Sequence, residues 1–182
     1  MGQCAPAPVV GCKAPAPSRG LLSLSKNATD PTKSKMTWKW NRGQATSLIT
    51  DLGSPTTTTD YRLCVYDDTG SLIMNLSVPA GGTCSGKPCW KATRSGFKYK
   101  DKLGTSNGVT ALNLQSGVDG KAKILAKGKG TSLSVPTLPL DQTTPVHVQL
   151  INSTTPACWD ASYSTPAKSR PGDTSKWNDS ND

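Results

Sequence analysis

The chain contains 182 residues, and its 21 lysines and arginines outnumber its 12 acidic residues, all of them aspartates, which gives a formal net charge of +9. This length suits one sizeable β domain, and the abundance of Thr, Ser, Gly and Pro favours short strands joined by turns over helices. The charge suits an acidic polysaccharide, an anionic cell surface or simple solubility. Nucleic acid is not expected as a partner, because the sequence predicts no basic helix, no paired-cysteine finger and no aromatic ladder.

The first 19 residues, MGQCAPAPVVGCKAPAPSR, are rich in Ala and Pro and are expected to form an extended, polyproline-like arm over residues 1–19. The arm is interpreted either as a linker or as a segment that clasps a neighbouring subunit. No apolar stretch of a signal peptide follows Met1, and no stretch approaches the ~20 apolar residues of a membrane span. We therefore expect an exported chain, extracellular or at the cell surface, that has lost its signal peptide and has no membrane span.

Alternation of apolar and polar residues predicts the first strands after the arm. Residues 20–26, GLLSLSK, show one such pattern, and residues 35–40, KMTWKW, show a stronger one. The two tryptophans of KMTWKW are interpreted as core residues, with a sugar-stacking platform as the alternative. Residues 44–52 are expected to form one or two helical turns.

Residues 61–90, YRLCVYDDTGSLIMNLSVPAGGTCSGKPCW, carry the clearest hairpin signal. Tyr61–Tyr66 and Ser71–Val78 are the expected strands, joined by Asp and Gly residues that suit a tight turn. Cys84 and Cys89 are separated by Gly and Pro residues and are expected to close a small disulfide loop. Half of a zinc site is the weaker alternative, because the chain has a single His to complete one.

The second half of the sequence continues in short alternating segments. The expected strands cover residues 96–101, 108–115, 121–127, 146–151 and 158–163, with a proline-broken edge segment at 133–140. About nine or ten strands without helical crossovers predict antiparallel pairing. The expected fold is all-β, an antiparallel two-sheet sandwich of jelly-roll-like type over residues 20–164, stapled by disulfides. Residues 165–182 are expected to form a polar tail.

The six cysteines, an even number, indicate three disulfides and an oxidising compartment. Fifteen pairings of six cysteines are possible, and the sequence alone does not choose among them. The short spacings favour one bond in the arm and one in the small loop, and the remaining two cysteines would join distant strands. The favoured pairs are Cys4–Cys12, Cys84–Cys89 and Cys64–Cys158.

The sequence contains no pattern that predicts catalysis. His147 has no evident partner and points outward from its expected strand. A Ser-His-Asp site is disfavoured because no G-x-S-x-G turn occurs, and a glycosidase is disfavoured because the aspartates lie mostly in turns. Asp67 and Asp68 lack the D-x-D-x-D-G spacing of a calcium loop. We expect no enzyme, no metal and no cofactor.

Seven segments follow one another in the order TWKW, LCVYDDTG, VPAGGTCSGKPCW, GFKYKD, GKAKILAKGKG, PVHVQLIN and CWDASYSTPAK. As a set they resemble a family of uncharacterised exported domains from environmental bacteria, delta-proteobacterial lineages among them. The resemblance covers roughly residues 20–182, and PAGGTC-KPCW is its most distinctive motif. It implies export and a single type of module, and it supplies no activity and no catalytic or binding residues.

Two functions fit these features. The first is a non-enzymatic extracellular structural protein, such as a fibre or surface-layer subunit, that forms a homo-oligomer or polymer through its arm or an edge strand. The alternative is a carbohydrate- or polyanion-binding module, whose candidate ligand surface is formed by Trp90, Lys91, Lys98 and Lys100. A row of exposed Trp or Tyr beside these lysines would favour a glycan.

Overall fold

The computed structural model describes residues 3–164 and 166–182, and nearly all of its regular structure is β. The exception is one 3-10 turn, Pro31–Lys33. The strands, numbered in chain order, are β1 (Gly20–Ser25), β2 (Lys35–Gly43), β3 (Tyr61–Tyr66), β4 (Leu72–Val78), β5 (Thr83–Cys84), β6 (Lys87–Pro88), β7 (Trp90–Thr93), β8 (Gly96–Lys100), β9 (Val109–Gln115), β10 (Ala122–Lys129), β11 (Val146–Asn152), β12 (Cys158–Tyr163) and β13 (Lys176–Ser180). The predicted all-β class is confirmed.

The strands build two large sheets, a seven-stranded one in the order β13-β1-β2-β10-β9-β8-β7 and a four-stranded one in the order β12-β11-β3-β4. Strands β5 and β6 form a separate small hairpin. The two large sheets pack their apolar faces together, and the Trp38 indole N–H of the first donates to the Tyr163 hydroxyl of the second at 3.0 Å. This confirms the predicted antiparallel sandwich, whereas jelly-roll connectivity stays a prediction.

Two local segments differ from their predictions. Residues 44–52 form turns and no helix, because Thr46 pairs with Gly117 and the Asp51 carboxylate accepts the Ser47 N–H at 2.7 Å. Residues 133–140 form no strand, since their prolines have no N–H to donate to a ladder. The leucines of this second segment are nevertheless buried in the core.

The C-terminal residues, expected as a polar tail, instead complete the seven-stranded sheet. Lys176–Ser180 form β13, which pairs with β1, and Trp177 opposite Leu24 is 1% exposed. A strand of sequence KWNDS has only two buried side chains, so its hydrophobic pattern is too short to stand out. The segment forms a strand because its backbone hydrogen-bonds to β1, and the side-chain pattern does not predict that pairing.

The disulfides tie the N-terminal arm to the four-stranded sheet of its own chain. The bonds are Cys4–Cys64, Cys12–Cys158 and Cys84–Cys89. The Cys84–Cys89 prediction is confirmed, and the other two predicted pairs are wrong. Cys64 on β3 and Cys158 on β12 lie on opposite sides of β11. Two strand spacings of roughly 4.8 Å each therefore separate them, which exceeds the reach of a disulfide.

Between its two disulfides the arm lies along the outer face of the four-stranded sheet. The Gln149 side chain of β11 is 1% exposed and hydrogen-bonds both the N–H and the C=O of Val9, at 2.9 and 2.7 Å. Lys13 then pairs with Trp159 at the edge of β12. The arm is thus fixed to its own domain along this face.

Candidate polyanion-binding face

The seven-stranded sheet turns apolar side chains toward the core and lysines toward solvent. In β2 the residues Met36, Trp38 and Trp40 are buried, whereas Lys35 and Lys39 are exposed. Successive side chains of a strand point to opposite faces, so burial of the apolar set places the lysines outside. β10, AKILAKGK, follows the same rule, with alternate residues buried.

Five strands of this sheet present exposed lysines on one side, and we call this surface the lysine face. Its members are Lys35, Lys39, Lys91, Lys98, Lys100, Lys123, Lys127, Lys129 and Lys176. Neighbouring strands lie roughly 4.8 Å apart and alternate residues of one strand roughly 7 Å apart, so the ammonium groups form a dense array. Within the described strands of this sheet, the sole acidic residue is Asp179, which is buried and accepts a hydrogen bond from Gln142 at 2.9 Å.

Two pairs of these lysines lie directly opposite each other on adjacent strands. Lys91 on β7 faces Lys98 on β8, and Lys35 on β2 faces Lys129 on β10. Like charges in directly opposed positions destabilise a sheet. The ion pairs found among the described residues all lie elsewhere: Lys13–Asp51, Lys33–Asp30 and His147–Asp160. The repulsion on the lysine face is therefore not neutralised by an ion pair of the described chain.

Two depressions adjoin each other on this side of the molecule, and Lys98 lines both. The first, the sheet groove, has a volume of about 520 Å³ and is lined by residues of β2, β8, β9 and β10, among them Asn41, Asn113 and Lys123. The second, the loop pocket, has a volume of about 580 Å³ and lies beside the Cys84–Cys89 loop. Among the described residues that line either depression, none is acidic.

The structure separates the four predicted ligand-surface residues. Lys91, Lys98 and Lys100 are exposed together on the lysine face, at the end of the sheet nearest the Cys84–Cys89 loop. Trp90 belongs to the core, because it is 3% exposed, donates its indole N–H to the Pro79 carbonyl at 2.8 Å and packs against Tyr99 at 5.2 Å. Burial in this cluster raises the pKa of Tyr99 to about 12.

The described residues form no row of exposed aromatic side chains beside these lysines. Every Trp and Tyr of the chain is at most 3% exposed. The predicted core position of Trp38 and Trp40 is confirmed, and the alternative of a sugar-stacking platform is wrong. Stacking on a sugar ring needs an accessible aromatic face, so recognition at this surface depends on charge and hydrogen bonding.

The lysines of β2, β10 and β13 also belong to the candidate site, although the sequence did not single them out. They join Lys91, Lys98 and Lys100 only because β10 pairs with both β2 and β9, and β13 pairs with β1. The available signal was the alternation of KMTWKW and AKILAKGK, which already places every lysine on the side opposite the core. What the alternation does not reveal is that these strands share one sheet.

His147, expected without a partner, is paired on the opposite side of the molecule. Its Nδ1 lies 3.2 Å from both carboxylate oxygens of Asp160 on the neighbouring strand β12, beside the N-terminal arm. The hydrogen bond to Asp160 raises the pKa of His147, and burial acts in the opposite direction. Among the described residues, no serine or cysteine side chain hydrogen-bonds this imidazole.

Residues 3–164 and 166–182 contain no group of three His, Cys or Asp side chains arranged to hold a metal ion. No helix in the described part of the chain is long and apolar enough to cross a membrane. Comparisons with protein-family models, with curated proteins and with solved structures gave no match. The resemblance to exported bacterial domains therefore stays a prediction.

Proposed function

We propose that this protein is a non-enzymatic extracellular binding protein whose lysine face holds an acidic polysaccharide. The observation that carries the proposal is the concentration of nine exposed lysines on one side of a sheet whose described strands present no acidic side chain there. Charges of one sign on a single surface raise the local concentration of an oppositely charged polymer and speed its association.

Lysine is suited to a polymer of repeated charges. Its ammonium group is a compact point charge on a flexible stem and does not impose the planar, bidentate geometry of arginine. Single exposed ion pairs are worth only ~0.2–1 kcal/mol, so one contact would not hold a ligand. Many weak contacts along one chain add up and release bound counterions, as in other polyelectrolyte complexes.

Acidic polysaccharide is favoured over nucleic acid for two reasons. Proteins that bind single strands stack bases on aromatic side chains, and here every Trp and Tyr is buried. Proteins that read duplex DNA commonly place a helix in the major groove, and the described residues contain no α-helix. A rigid sheet with a charged face suits an extended chain that is recognised by its charge.

Extracellular location is supported by the cystines. All six cysteines are disulfide-bonded, and two of the bonds span 60 and 146 residues of sequence. Disulfides persist in oxidising compartments and are rare in the cytosol. An acidic polysaccharide of a cell surface or matrix would share that compartment with the protein.

Chromatography on immobilised heparin, a sulfated polysaccharide, tests the proposal. The whole chain should be retained at low salt and elute in a NaCl gradient. Added salt lowers the affinity because it reduces the free energy gained when bound counterions are released. The face variant Lys39→Gln/Lys127→Gln should elute at lower salt. A matched control, Lys168→Gln/Arg170→Gln, removes the same charge from exposed loop positions outside the lysine face and should elute with the wild type.

Two results would overturn the proposal. If the wild type is not retained at low salt, the lysine face is not a polyanion site. If the face variant and the control shift equally, retention reports net charge and not this surface. Circular dichroism of both variants checks that neither has unfolded.

The structural-subunit hypothesis stays a prediction with less support. The arm, which this hypothesis uses to clasp a neighbour, is bonded to its own chain through Cys4 and Cys12. Lys13 covers part of the β12 edge, and Lys168 and Ser169 donate to the Asn178 carbonyl at the β13 edge. Covered edges resist strand addition. Electron microscopy that shows fibres of the purified oxidised chain would nevertheless restore this hypothesis.

A further inference from the structure

The loop pocket is built by a small rigid hairpin. Ser85 and Gly86 have φ angles of 50° and 77°, the left-handed pair that a two-residue hairpin turn requires. This turn sets Lys87 opposite Cys84 in the β5–β6 pair, and the Cys84–Cys89 disulfide closes the loop. The Cys89 N–H also donates to the Gly82 carbonyl at 3.1 Å. The position of Lys87 at the rim of the pocket is therefore fixed.

The other side of the pocket is the outer surface of β7 and β8. Lys91 and Lys98 face each other there, and the Lys100 N–H donates to the Cys89 carbonyl at 2.9 Å, which joins the strand to the loop. Trp90 and Tyr99 hold the alternate positions inside the core. Anchoring of these aromatic side chains keeps the three lysines pointing outward.

Five lysines line the pocket together with the apolar surface of Pro88 and of the disulfide: Lys87, Lys91, Lys98, Lys100 and Lys102. The nearest acidic residue in sequence, Asp101, is 1% exposed, and its carboxylate accepts hydrogen bonds from Leu103 N–H at 3.0 Å and Thr105 N–H at 2.7 Å. Asp101 thus serves the turn after β8. Its charge is satisfied by these donors, and it does not line the pocket.

We propose that the loop pocket is a site for one tetrahedral oxyanion, a sulfate or phosphate ester, carried by the polymer that the lysine face holds. This inference rests on the proposed function for the identity of the carrier. On the remainder of the face the lysines are spread over the sheet, whereas here five lysines and a partly apolar wall line one open pocket. A sulfate or phosphate ester presents three acceptor oxygens, whereas a carboxylate presents two. A tetrahedral group in this pocket can therefore contact more of the lysines at once than a carboxylate can.

The size and shape of the pocket agree with such a group as part of a larger ligand. A volume of about 580 Å³ exceeds a single sulfate and leaves room for the sugar unit that bears it. Lys98 also lines the sheet groove, so a polymer with one charged group in the pocket can continue across the sheet. The pocket would therefore select the type of anionic group, and the lysine face would hold the chain.

A nuclear magnetic resonance titration of the oxidised full chain tests the inference. Glucose 6-sulfate and glucose 6-phosphate are added separately at constant ionic strength, with NaCl as the reference. Both esters should produce saturable shifts of the backbone amides around the pocket, at Ser85, Gly86, Lys91, Lys98 and Lys100. The ester that binds more tightly identifies whether the natural carrier is a sulfated or a phosphorylated glycan.

Matched variants separate this inference from the proposed function. Lys87→Gln/Lys102→Gln removes two pocket charges that lie outside the lysine face and should weaken the tighter ester at least about fivefold. Lys39→Gln/Lys127→Gln should leave ester binding unchanged while it lowers heparin retention. Shifts that do not saturate, or that NaCl reproduces, overturn the pocket even if heparin is retained. Saturable ester binding by a chain that heparin does not retain would support the pocket and overturn the proposed function.

Discussion

Lys91 and Lys98 face each other directly across the antiparallel pair of β7 and β8. Both side chains are exposed, and no ion pair found among the described residues includes either of them. Sheets ordinarily place opposite charges or a charge and a polar residue in such positions, because like charges repel there. The arrangement lowers the stability of the free protein and favours an anion that bridges the two ammonium groups.

Replacement of Lys98 should therefore stabilise the free chain. Lys98→Thr removes the repulsion with Lys91, and we expect the free energy of unfolding in urea to rise by roughly 0.2–1 kcal/mol at low salt. The gain should shrink at high salt, where the repulsion is screened. Lys127→Thr is the control, since Lys127 lies opposite Thr37 and Ala111 and therefore has no directly opposed positive charge. Equal gains in both variants would mean that threonine's strand preference, and not charge, explains the effect.

The sequence predicted the strands well where alternation was strong. KMTWKW, VHVQLI and CWDASY each became a strand of the expected kind with the expected inward residues, because burial of one face dictates the alternation. Strand order was not accessible in the same way. β2 pairs with β10, which lies about half the chain away in sequence, and β1 pairs with β13 near the C-terminus. No local pattern encodes such partners.

The errors in disulfide pairing have the same physical origin. Spacing favoured Cys4–Cys12 and Cys84–Cys89, which left Cys64 to pair with Cys158. β11 lies between the strands of those two cysteines, a fact that only the sheet order reveals. For a similar reason, the sequence predicted only part of the candidate site. Lys91, Lys98 and Lys100 are close in sequence, whereas the lysines of β2 and β10 join them only through long-range pairing.

The long-range disulfide should contribute most to stability. In the chain-entropy model, a bond that spans 146 residues, Cys12–Cys158, stabilises by about 5 kcal/mol, and one that spans 5 residues, Cys84–Cys89, by about 2 kcal/mol. We expect the Cys12→Ala/Cys158→Ala variant to unfold at much lower urea than Cys84→Ala/Cys89→Ala. Peptide mapping of the oxidised wild type checks the pairing itself. Recovery of a Cys4–Cys12 peptide pair would contradict the structure.

Loss of the Cys84–Cys89 bond should affect ligand binding more than the fold. Without it the hairpin no longer fixes Lys87 beside β7 and β8, so glucose 6-sulfate binding should weaken by roughly tenfold, a free-energy change of about 1.4 kcal/mol. Heparin retention through the lysine face should change little. Titration and chromatography of Cys84→Ala/Cys89→Ala measure both effects. Unchanged ester affinity would show that the loop does not shape the pocket.

The His147–Asp160 pair makes stability depend on pH. The hydrogen bond to Asp160 raises the pKa of His147 above its ordinary value of 6.5 in the folded chain. The stabilisation is complete below about pH 6.5, the unfolded value, and is lost as pH rises through the higher folded value. Urea unfolding of the wild type and His147→Gln at several pH values should show their difference shrinking as pH rises. Parallel pH profiles would contradict a raised pKa.

Replacement of Trp177 tests whether the C-terminal segment is part of the fold or a tail that the fold does not need. Its side chain is 1% exposed, packs edge-on against Tyr163 at 6.3 Å and pairs through β13 with β1. Trp177→Ala should lower the free energy of unfolding by about 3–5 kcal/mol, the usual cost of emptying such a site. The outward neighbour Lys176 provides the control, since Lys176→Ala should change stability by less than about 0.5 kcal/mol.

A third variant at this position refines the interpretation. Among the described residues, the buried Trp177 indole N–H has no hydrogen-bond acceptor, and an unpaired buried donor costs about 1–3 kcal/mol. Trp177→Phe removes that donor and keeps most of the apolar volume, so it should cost far less than Trp177→Ala. Urea unfolding of the three variants side by side measures the ranking. If Trp177→Ala is no worse than Lys176→Ala, residues 176–180 do not form a strand of the sheet in solution.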